Sequence, residues 1–495
     1  MSGKIHIKQG EKTLIISADI GDNLLKVLHA NGVSIPAPCG GRGTCGKCTV
    51  YTYKGAVLAC KTTIDQSIFN TEVSIPNTGD MVVLDAYDNL YPVVCDRNSP
   101  LPYGIAIDIG TTTLAFELLE LATGRRVAGH SQVNSQREFG ADVMARITNA
   151  VAGDHSKLHE YIKKDICSGI SHILAKSGAG AGDISLVTIA GNTTMLHLLL
   201  DLPCDTLGVA PFTPLFIGMK KLTFAELFKS DTLSCDVIIL PGISTFVGAD
   251  ISAGLLLCGW PNTTGTNLLI DLGTNGEMAI FSNDKIIVTS TAAGPAFEAA
   301  NISMGMGSVT GAIAKANYLP QVGVFSFKTI NNADPIGICG TGVVDIAAEL
   351  IRHSLVDETG FIESEEDAIF ITPEITFTQR DIREIQLAKS AVRSGIEILL
   401  DIANVQYDDL SNVYIAGGFG HKINLQSAIK LGLIPAELEE KVIIIGNASL
   451  GGCAKILLSH NCENDILKLA AIAQEVNLAA HPKFNDLFMD YMGME

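Results

Sequence analysis

Apolar and polar residues alternate at the start of the chain in the manner of β-strands. Ile5 and Ile7 are flanked by polar neighbours, and a second apolar run covers 13–17, so the sequence predicts a β-hairpin. Asp22 is placed to cap a short helix, and 71–75 is predicted to be a closing strand. The apolar face of that helix consists of Leu24, Leu25, Val27 and Leu28.

In the remainder of the chain, apolar strands run into turns that are rich in glycine and threonine. Residues 104–118 read GIAIDIGTTTLAFEL, and residues 268–281 read LLIDLGTNGEMAIF. In both segments a strand ends in Asp, a Gly-Thr turn follows, and a second apolar strand begins. The copies lie far apart, which predicts a duplicated domain, because solenoid repeats recur every 20 to 50 residues. Similar glycine turns follow apolar strands at Gly191, Gly340 and Gly417.

Length and composition limit the function classes. A chain of 495 residues, 47% hydrophobic, predicts two to four domains. The formal net charge of −19 argues against nucleic acid, since phosphate contacts need clustered Lys and Arg. The first residues lack an apolar leader, and no run of about 18 apolar residues predicts a membrane span, so we expect a cytoplasmic protein without a membrane partner. Most of the 12 cysteines are then reduced thiols or metal ligands.

Four of these cysteines lie close together, with the spacing C-x5-C-x2-C-x11-C and glycines between the first three. Four thiolates that converge on two irons, with backbone N–H groups near the sulfurs, suit a [2Fe–2S] cluster. Ordinary thiols or a zinc site are the alternatives, although zinc sites usually show two paired C-x2-C knuckles. The candidate ligands are Cys39, Cys45, Cys48 and Cys60.

The two Asp-Gly-Thr turns are candidates for phosphate binding. Turns of this composition present backbone N–H groups and hydroxyls to phosphate oxygens. An aspartate at the end of the preceding strand, here Asp108 or Asp271, can hold Mg²⁺ through water or orient a water molecule. The alternative for a single copy is a polar hairpin turn, and for the other glycine turns it is tight packing or entry into a helix. Two copies in similar contexts favour phosphate binding.

The N-terminal part resembles a plant-type or adrenodoxin-like [2Fe–2S] domain. Residues 38–48 read PCGGRGTCGKC, residues 58–60 read LAC, and they follow a predicted hairpin and helix. The resemblance implies a β-grasp ferredoxin fold with the four cysteines as ligands. Such clusters are one-electron carriers, with potentials of about −400 mV in plant-type examples.

The second part resembles the ASKHA superfamily, which includes acetate and sugar kinases, heat-shock ATPases and actin. Residues 108–113 resemble its first phosphate motif, 271–277 the second and 416–420 the adenosine motif, with connecting motifs around Gly191 and Gly340. This implies two actin-like α/β lobes of the ribonuclease H-like type, with ATP and Mg²⁺ between them and Asp108 and Asp271 as catalytic residues. The residues implied to bind ATP are Gly110, Thr111, Thr112, Thr113, Gly273, Thr274, Asn275, Gly276, Gly417, Gly418, Phe419 and Gly420.

The pairing of these two parts resembles the reductive activators of corrinoid proteins. It implies ATP-dependent transfer of one electron from the cluster to Co(II), which regenerates Co(I) in a corrinoid protein of a methyltransferase system. A low-potential ferredoxin or flavoprotein is the implied electron donor, and a homodimer is the implied assembly. The expected organisation is a ferredoxin domain at 1–78, a linker at 79–103, and ASKHA lobes at 104–262 and 263–495. A rigidly docked strand at 81–84 is the alternative to a flexible linker.

Residues 291–306 also resemble a stretch of that family, with one departure. Ala299 follows GPAFE, where the family pattern leads us to expect glycine. Two rival functions stay open at this point. One is a small-molecule kinase with a regulatory cluster, which a screen for substrate-dependent ADP release would detect. The other is an electron-transfer protein for another low-potential enzyme.

Overall fold

The computed structural model describes residues 2–9, 12–33, 35, 48–75, 87, 93–97, 99–363, 367–417 and 423–494. Some sequence predictions lie outside these ranges. They are the cluster ligands Cys39 and Cys45, the adenosine-motif residues Gly418, Phe419 and Gly420, and the docking strand at 81–84.

The N-terminal domain is a five-stranded sheet packed on one helix, as the β-grasp prediction requires. The order of its strands is β2-β1-β5-β3-β4, with β1 and β2 antiparallel and β1 and β5 parallel. Ile5, Ile7 and Ile16 are buried beneath the helix side chains Leu24 and Leu28. The elements are β1 (Ser2–Gln9), β2 (Lys12–Asp19), α1 (Leu24–Ala30), β3 (Thr49–Thr52), β4 (Gly55–Leu58) and β5 (Glu72–Ile75).

The cap of α1 differs by one residue from the prediction. Asn23, not Asp22, is the N-cap, and its side chain accepts a hydrogen bond from the backbone N–H of Lys26 at 3.3 Å. Asp22 instead accepts a hydrogen bond from the N–H of Asp19 at 2.9 Å. Both Asp and Asn cap helices well, so the local sequence does not distinguish two adjacent candidates.

The first lobe of the second part contains a six-stranded sheet of order β10-β11-β9-β6-β7-β8. Strand β6 pairs antiparallel with β7 and parallel with β9, so a hairpin lies beside a parallel crossover. The strands are β6 (Tyr103–Ile109), β7 (Thr113–Glu120), β8 (Arg126–Val133), β9 (Ile184–Gly191), β10 (Lys220–Thr223) and β11 (Asp236–Ile239). The helices are α2 (Val143–Asn149), α3 (His155–Ser177), α4 (Thr193–Leu199), α5 (Phe224–Phe228) and α6 (Ala249–Leu257).

The second lobe repeats this arrangement, which confirms the predicted duplication. Its six-stranded sheet has the order β21-β20-β12-β13-β14-β22, and β12 pairs antiparallel with β13 and parallel with β20. The two Asp-Gly-Thr turns therefore lie at equivalent positions, each at the end of a hairpin beside a parallel strand. The strands are β12 (Thr266–Leu272), β13 (Gly276–Phe281), β14 (Ile286–Thr291), β20 (Leu410–Ala416), β21 (Val442–Gly446) and β22 (Ala473–Glu475).

Further elements extend the second lobe. A three-stranded sheet consists of β15 (Ala312–Leu319), β16 (Val324–Thr329) and β17 (Gly337–Ile338), and a two-stranded one of β18 (Ala368–Phe370) and β19 (Thr376–Thr378). The remaining helices are α7 (Gly340–Arg352), α8 (Gln379–Ala403), α9 (Leu425–Lys430), α10 (Ala448–Leu458), α11 (His460–Ile472) and α12 (Phe484–Asp490). None of the described helices combines the length and the apolarity that crossing a bilayer requires.

Helices α6 and α10 lie side by side between the two large sheets. Gly452 approaches α6 so closely that a Cβ atom there would lie 2.1 Å from the carbonyl oxygen of Ala253. Leu450 and Leu457 of α10 are buried in the core of the first lobe, although α10 directly follows β21 of the second lobe. This helix pair thus connects the lobes behind the cleft.

The described residues of the segment 79–103 form hydrogen bonds with both lobes of the second part. Tyr87 donates a hydrogen bond through its hydroxyl to Glu117 at 2.6 Å, and it forms a β-bridge with Gly446. Asp96 accepts hydrogen bonds from the N–H of His460 at 2.8 Å and from the hydroxyl of Ser459 at 3.1 Å. These contacts fix the chain on both lobes before β6 begins.

Candidate functional site

The two described cluster cysteines are neighbours at one end of the β3–β4 hairpin. Cys48 immediately precedes β3, and Cys60 lies in the turn that follows β4; both are buried. The N–H of Ala59 donates to the carbonyl of Cys48 at 2.9 Å, and the amide of Asn23 donates to the carbonyl of Cys60 at 2.9 Å. Two thiols held together in this way fit the sulfur ligands that a [2Fe–2S] cluster takes.

The first phosphate hairpin closes over a short turn between β6 and β7. The N–H of Gly110 donates to the carbonyl of Thr113 at 3.0 Å, and a Cβ atom on Gly110 would lie 2.6 Å from that oxygen. Only glycine fits this approach. The turn presents Thr111 and Thr112, and the side chain of Asn192 donates to the hydroxyl of Thr111 at 3.0 Å.

The second hairpin also closes with a hydrogen bond from the N–H of its glycine, although this bond spans one residue fewer than in the first. The N–H of Gly273 donates to the carbonyl of Asn275 at 3.0 Å, and the side chain of Asn275 donates to Glu277 at 3.2 Å. Thr274 lies at the tip, and Gly276 begins β13. The structure therefore brings the residues of each predicted phosphate motif into one turn.

Gly417, the described glycine of the predicted adenosine motif, lies beside the second hairpin. Its φ is +111°, and a Cβ atom there would lie 2.2 Å from the carbonyl oxygen of Leu272. Its N–H donates to the carbonyl of Gly446 at 3.0 Å. The close packing of β20 on β12 by itself requires glycine here, so contact with adenosine stays a prediction.

Asp108 is held by two donors that the sequence reasoning missed. Asn447 donates through its amide at 2.9 Å, and Ser449 donates through its hydroxyl at 2.7 Å. Burial raises the pKa of Asp108, and these two hydrogen bonds oppose the rise. A signal for them exists, because an apolar strand runs into Gly-Asn-x-Ser at 446–449, much as another runs into Gly-Asn-Thr-Thr at 191–194.

Asn192 and Asn447 play the same local role in the two copies. Each caps a helix directly after a parallel strand: Asn192 accepts from the N–H of Met195 at 3.0 Å, and Asn447 accepts from the N–H of Leu450 at 2.8 Å. Each amide group then reaches the β6–β7 hairpin. The caps therefore direct two helix N-termini toward the cleft, where a helix dipole favours anions.

Carboxylates crowd the cleft between the hairpins. Burial raises the pKa of Asp271 to about 8, and the negative charges of Asp250 and Asp108 add to the rise. Burial followed by the charge of Asp108 raises the pKa of Asp250, in the first turn of α6, to about 7. Among the described residues no three His, Cys, Asp or Glu side chains form a metal-binding group by themselves. Mg²⁺ bound chiefly through nucleotide phosphates and water fits this donor set, because Mg²⁺ retains several such ligands.

Arg146 stabilises the first hairpin through a hydrogen bond to its backbone. Its guanidinium donates to the carbonyl of Thr111, and to the carbonyl of Gly140 at 3.1 Å. Burial lowers the pKa of Arg146 to about 9. The sequence offered no signal for this residue, because its partners are backbone carbonyls and the side chains of Gln136 and Met195, which only the fold brings together.

The ferredoxin domain touches the first lobe close to this support. The Nδ1 of His29 in α1 lies 3.9 Å from a carboxylate oxygen of Glu138, and both side chains are largely buried, at 13% and 16% exposed. Glu138 belongs to a 3-10 helix, Ser135–Phe139, which Asn134 caps. The side chain of Asn134 donates to the carbonyl of Gly110 at 2.9 Å, so this helix connects the ferredoxin domain to the phosphate hairpin.

Family models match the chain along most of its length. Residues 7–89 match the "2Fe-2S iron-sulfur cluster binding domain", 103–263 the "RACo middle region", and 265–495 the "C-terminal domain of RACo the ASKHA domain". The fold and the site thus define a two-lobed ASKHA ATPase that carries a ferredoxin domain.

Three relatives narrow this class. The "Corrinoid activation enzyme RamQ" of Eubacterium limosum is 33% identical over 472 residues, which is 86% of this chain and 78% of the relative. The "[Co(II) methylated amine-specific corrinoid protein] reductase" of Methanosarcina barkeri is 25% identical, over 78% of this chain and 76% of the relative. A solved "Reductive activator for corrinoid,iron-sulfur protein" superposes with a TM-score of 0.72 at 25% identity, over 99% and 98% of the two chains. The chain belongs to the family of reductive activators of corrinoid proteins, which are ATP-dependent reductases.

Proposed function

We propose that this chain uses ATP to pass one electron from a [2Fe–2S] cluster to Co(II) of a corrinoid protein in a methyltransferase system, which regenerates Co(I). The names of both curated relatives support the client, since one activates a corrinoid and the other reduces a Co(II) corrinoid protein. A reduced ferredoxin or flavoprotein would restore the electron, in the cytoplasm. As the sequence resemblance implies, the working assembly would be a homodimer.

The proposal assigns separate roles to the two parts of the chain. Cys39, Cys45, Cys48 and Cys60 would hold the cluster, which supplies a one-electron carrier. Asp108 and Asp271 would hold Mg²⁺ or position the attacking water. The hydroxyls of Thr111, Thr112 and Thr274 and the turn N–H groups would bind the phosphates, while residues 417–420 would pack on adenosine.

ATP is needed because the electron transfer is energetically uphill. For one electron, each 59 mV of unfavourable potential difference lowers the equilibrium constant tenfold. A nucleotide offsets this only if it interacts differently with two states of the protein or its partner. Coupling therefore requires a contact between the nucleotide-binding lobes and the cluster domain. Otherwise one partner protein must contact both parts of the chain.

The observation that carries the proposal is the contact between His29 and Glu138. It joins the cluster domain to the helix Ser135–Phe139, whose cap donates to the backbone of the first phosphate hairpin. His29 also contacts the carbonyl of Ile35 through its Nε2 at 3.2 Å, four residues before Cys39. A shift of the hairpin on nucleotide binding can reach the cluster domain along this short series of contacts.

An anaerobic reduction assay tests the proposal. The protein with reconstituted cluster is mixed with excess reductant and a purified corrinoid protein in the Co(II) state, and the loss of Co(II) absorption is followed. We expect loss with ATP and Mg²⁺, and little with ADP or without nucleotide. Equal rates in all three mixtures would refute the coupling. Loss that also needs a small-molecule phosphate acceptor would favour the kinase alternative.

A further inference from the structure

Glu298 contacts both phosphate hairpins at once. Its Oε2 accepts a hydrogen bond from the hydroxyl of Thr274 at 2.8 Å and one from the hydroxyl of Thr112 at 3.3 Å. Thr274 belongs to the same lobe as Glu298, whereas Thr112 belongs to the other. A single carboxylate oxygen therefore joins the two lobes at the centre of the cleft.

The backbone around Glu298 is a compact, buried turn. The N–H groups of Glu298 and Ala300 donate to the carbonyl of Pro295, each at 3.1 Å, and Phe297 is buried. Ala299 has a φ of +59°, the left-handed region that favours glycine. This geometry fits the glycine that the resemblance led us to expect at 299, and it directs the preceding side chain into the cleft.

The charges around Glu298 are mostly of its own sign. Asp108, Asp250 and Asp271 share the cleft, and Arg146 is the cation whose charge acts on it. Burial raises the pKa of Glu298, while the two hydroxyl donors and the charge of Arg146 oppose the rise. A nucleotide phosphate entering between the hairpins would meet this carboxylate and would compete for the same two hydroxyls.

We propose that Glu298 is a positioning residue that holds the two phosphate hairpins together across the nucleotide-free cleft, and that the phosphates of a bound nucleotide replace it at both threonine hydroxyls. Each hydroxyl has one proton, so it donates either to Glu298 or to a phosphate. Nucleotide binding then frees a carboxylate beside an anion, and repulsion moves the turn that carries it. This inference rests on the proposed binding of ATP between the hairpins.

Three variants separate this role from simple charge repulsion. Glu298→Ala removes both the charge and the acceptor. Glu298→Gln removes the charge but keeps an oxygen that can accept from the threonines. Glu277→Gln removes a carboxylate from the same cleft, where its described hydrogen bond joins it to Asn275 of its own hairpin, not to the other lobe. Each variant removes one buried acidic group from the cleft, so a difference among them reports the contact between the lobes.

Hydrogen–deuterium exchange of the nucleotide-free protein provides the first readout. We expect Glu298→Ala to raise exchange in peptides that cover both hairpins, roughly tenfold, as the loss of a hydrogen bond to a charged group predicts. Glu298→Gln should restore much of the protection, and Glu277→Gln should leave the Thr112 hairpin as in the wild type. Unchanged exchange at the Thr112 hairpin in Glu298→Ala would overturn the proposal.

Calorimetric titration with ADP and Mg²⁺ provides the second readout. All three variants should bind more tightly than the wild type because one acidic group of the cleft is gone, and Glu298→Ala should bind several-fold more tightly than the other two because no contact must be broken. Weaker binding by Glu298→Ala would show that Glu298 still contacts the threonines when nucleotide is bound. It would overturn the proposal that the phosphates replace Glu298 at these hydroxyls. Failure of the wild type to bind any nucleotide would instead refute the proposed function, while the exchange data would still decide the contact.

Discussion

The two phosphate hairpins share a sequence phrase and a turn of equal length, but their aspartates lie in different surroundings. Asp108 is held by Asn447 and Ser449, which offset part of the effect of burial. Asp271 is buried among carboxylates, so its pKa rises to about 8. The aspartate of the first hairpin is therefore already hydrogen-bonded without a ligand, whereas the aspartate of the second lies among acidic groups and keeps its proton near neutral pH, so a bound cation would favour its ionised form. We infer that Mg²⁺ acts mainly at Asp271.

The largest expected effect comes from replacing the aspartate of either hairpin by asparagine. Asp271→Asn should lower ATP-dependent phosphate release roughly 100-fold, the scale of losing one preorganised electrostatic contact, and should raise the Mg²⁺ concentration needed for half-maximal rate. Asp108→Asn should lower the rate with a smaller change in Mg²⁺ requirement, because its donors remain. Steady-state rates across a Mg²⁺ series make the comparison. If both variants raise the Mg²⁺ concentration for half-maximal rate by the same factor, the proposed difference between the hairpins is wrong.

A second effect concerns pH and the stability of the nucleotide-free protein. Because the folded-state pKa of Asp271 is about 8 and an unfolded aspartate titrates near 4, the folded state binds more protons between these values. Its contribution to stability is fully present below about pH 4 and is lost as pH rises through about 8. We expect the melting temperature to fall by several degrees from pH 5.5 to 8.5.

The variant Asp250→Asn provides the control for this pH dependence. It removes a like charge that raises the pKa of Asp271, so its melting temperature should depend less on pH. Mg²⁺ with ADP should flatten the wild-type profile in the same direction, since a cation favours the ionised carboxylates. A wild-type melting temperature that rises over this pH range would contradict the raised pKa of Asp271, and with it the difference between the two hairpins.

A third, smaller effect tests whether the ferredoxin domain is coupled to the first hairpin through the contact of Glu138 with His29. Glu138→Gln weakens the contact with His29, and we expect the ATP-dependent acceleration of Co(II) loss to fall several-fold while the visible spectrum of the cluster is unchanged. The matched control is Glu120→Gln, an acidic residue of the same lobe whose partners are Thr123 and Arg125. Equal loss in both variants would mean that the contact has no special part in coupling.

The smallest effect is expected at the turn behind the second hairpin. Ala299→Gly removes a side chain from the left-handed region, where an L-residue costs roughly 1–2 kcal/mol. The greater freedom of glycine in the unfolded chain offsets part of this gain. We expect the free energy of unfolding to rise by up to about 1 kcal/mol in chemical denaturation. A clear loss of stability would mean that the buried methyl group of Ala299 matters more than its backbone conformation.

Sequence reasoning succeeded where the information is local. The strand, aspartate and glycine of each hairpin are adjacent in the chain, and so are the alternating residues of β1 and the apolar face of α1. The duplicated phrase therefore predicted the paired lobes, and the fold confirms them. Where two local choices were equally good, as with Asp22 and Asn23, the prediction was wrong by one residue.

The missed residues reach the site from distant parts of the chain. Ser449 lies 341 positions after Asp108, and Glu298 lies 186 positions after Thr112. Their roles depend on the way that α10 and the turn after β14 pack, which no local pattern encodes. Arg146 donates to backbone carbonyls and to the side chains of Gln136 and Met195, and no local pattern links these partners to it. A search for strands that end in Gly-Asn would nevertheless have found Asn447, because Asn192 shows the same pattern.

The central claim is that nucleotide at the paired hairpins drives the electron out of the ferredoxin domain. It is tested most directly by following the reduced cluster and Co(II) together in one anaerobic stopped-flow experiment, with substoichiometric reductant and with or without ATP. Our account predicts that cluster oxidation and Co(II) loss proceed at the same rate and in equal amounts, and only with ATP. Loss of Co(II) at the same rate without ATP, or without oxidation of the cluster, would contradict it.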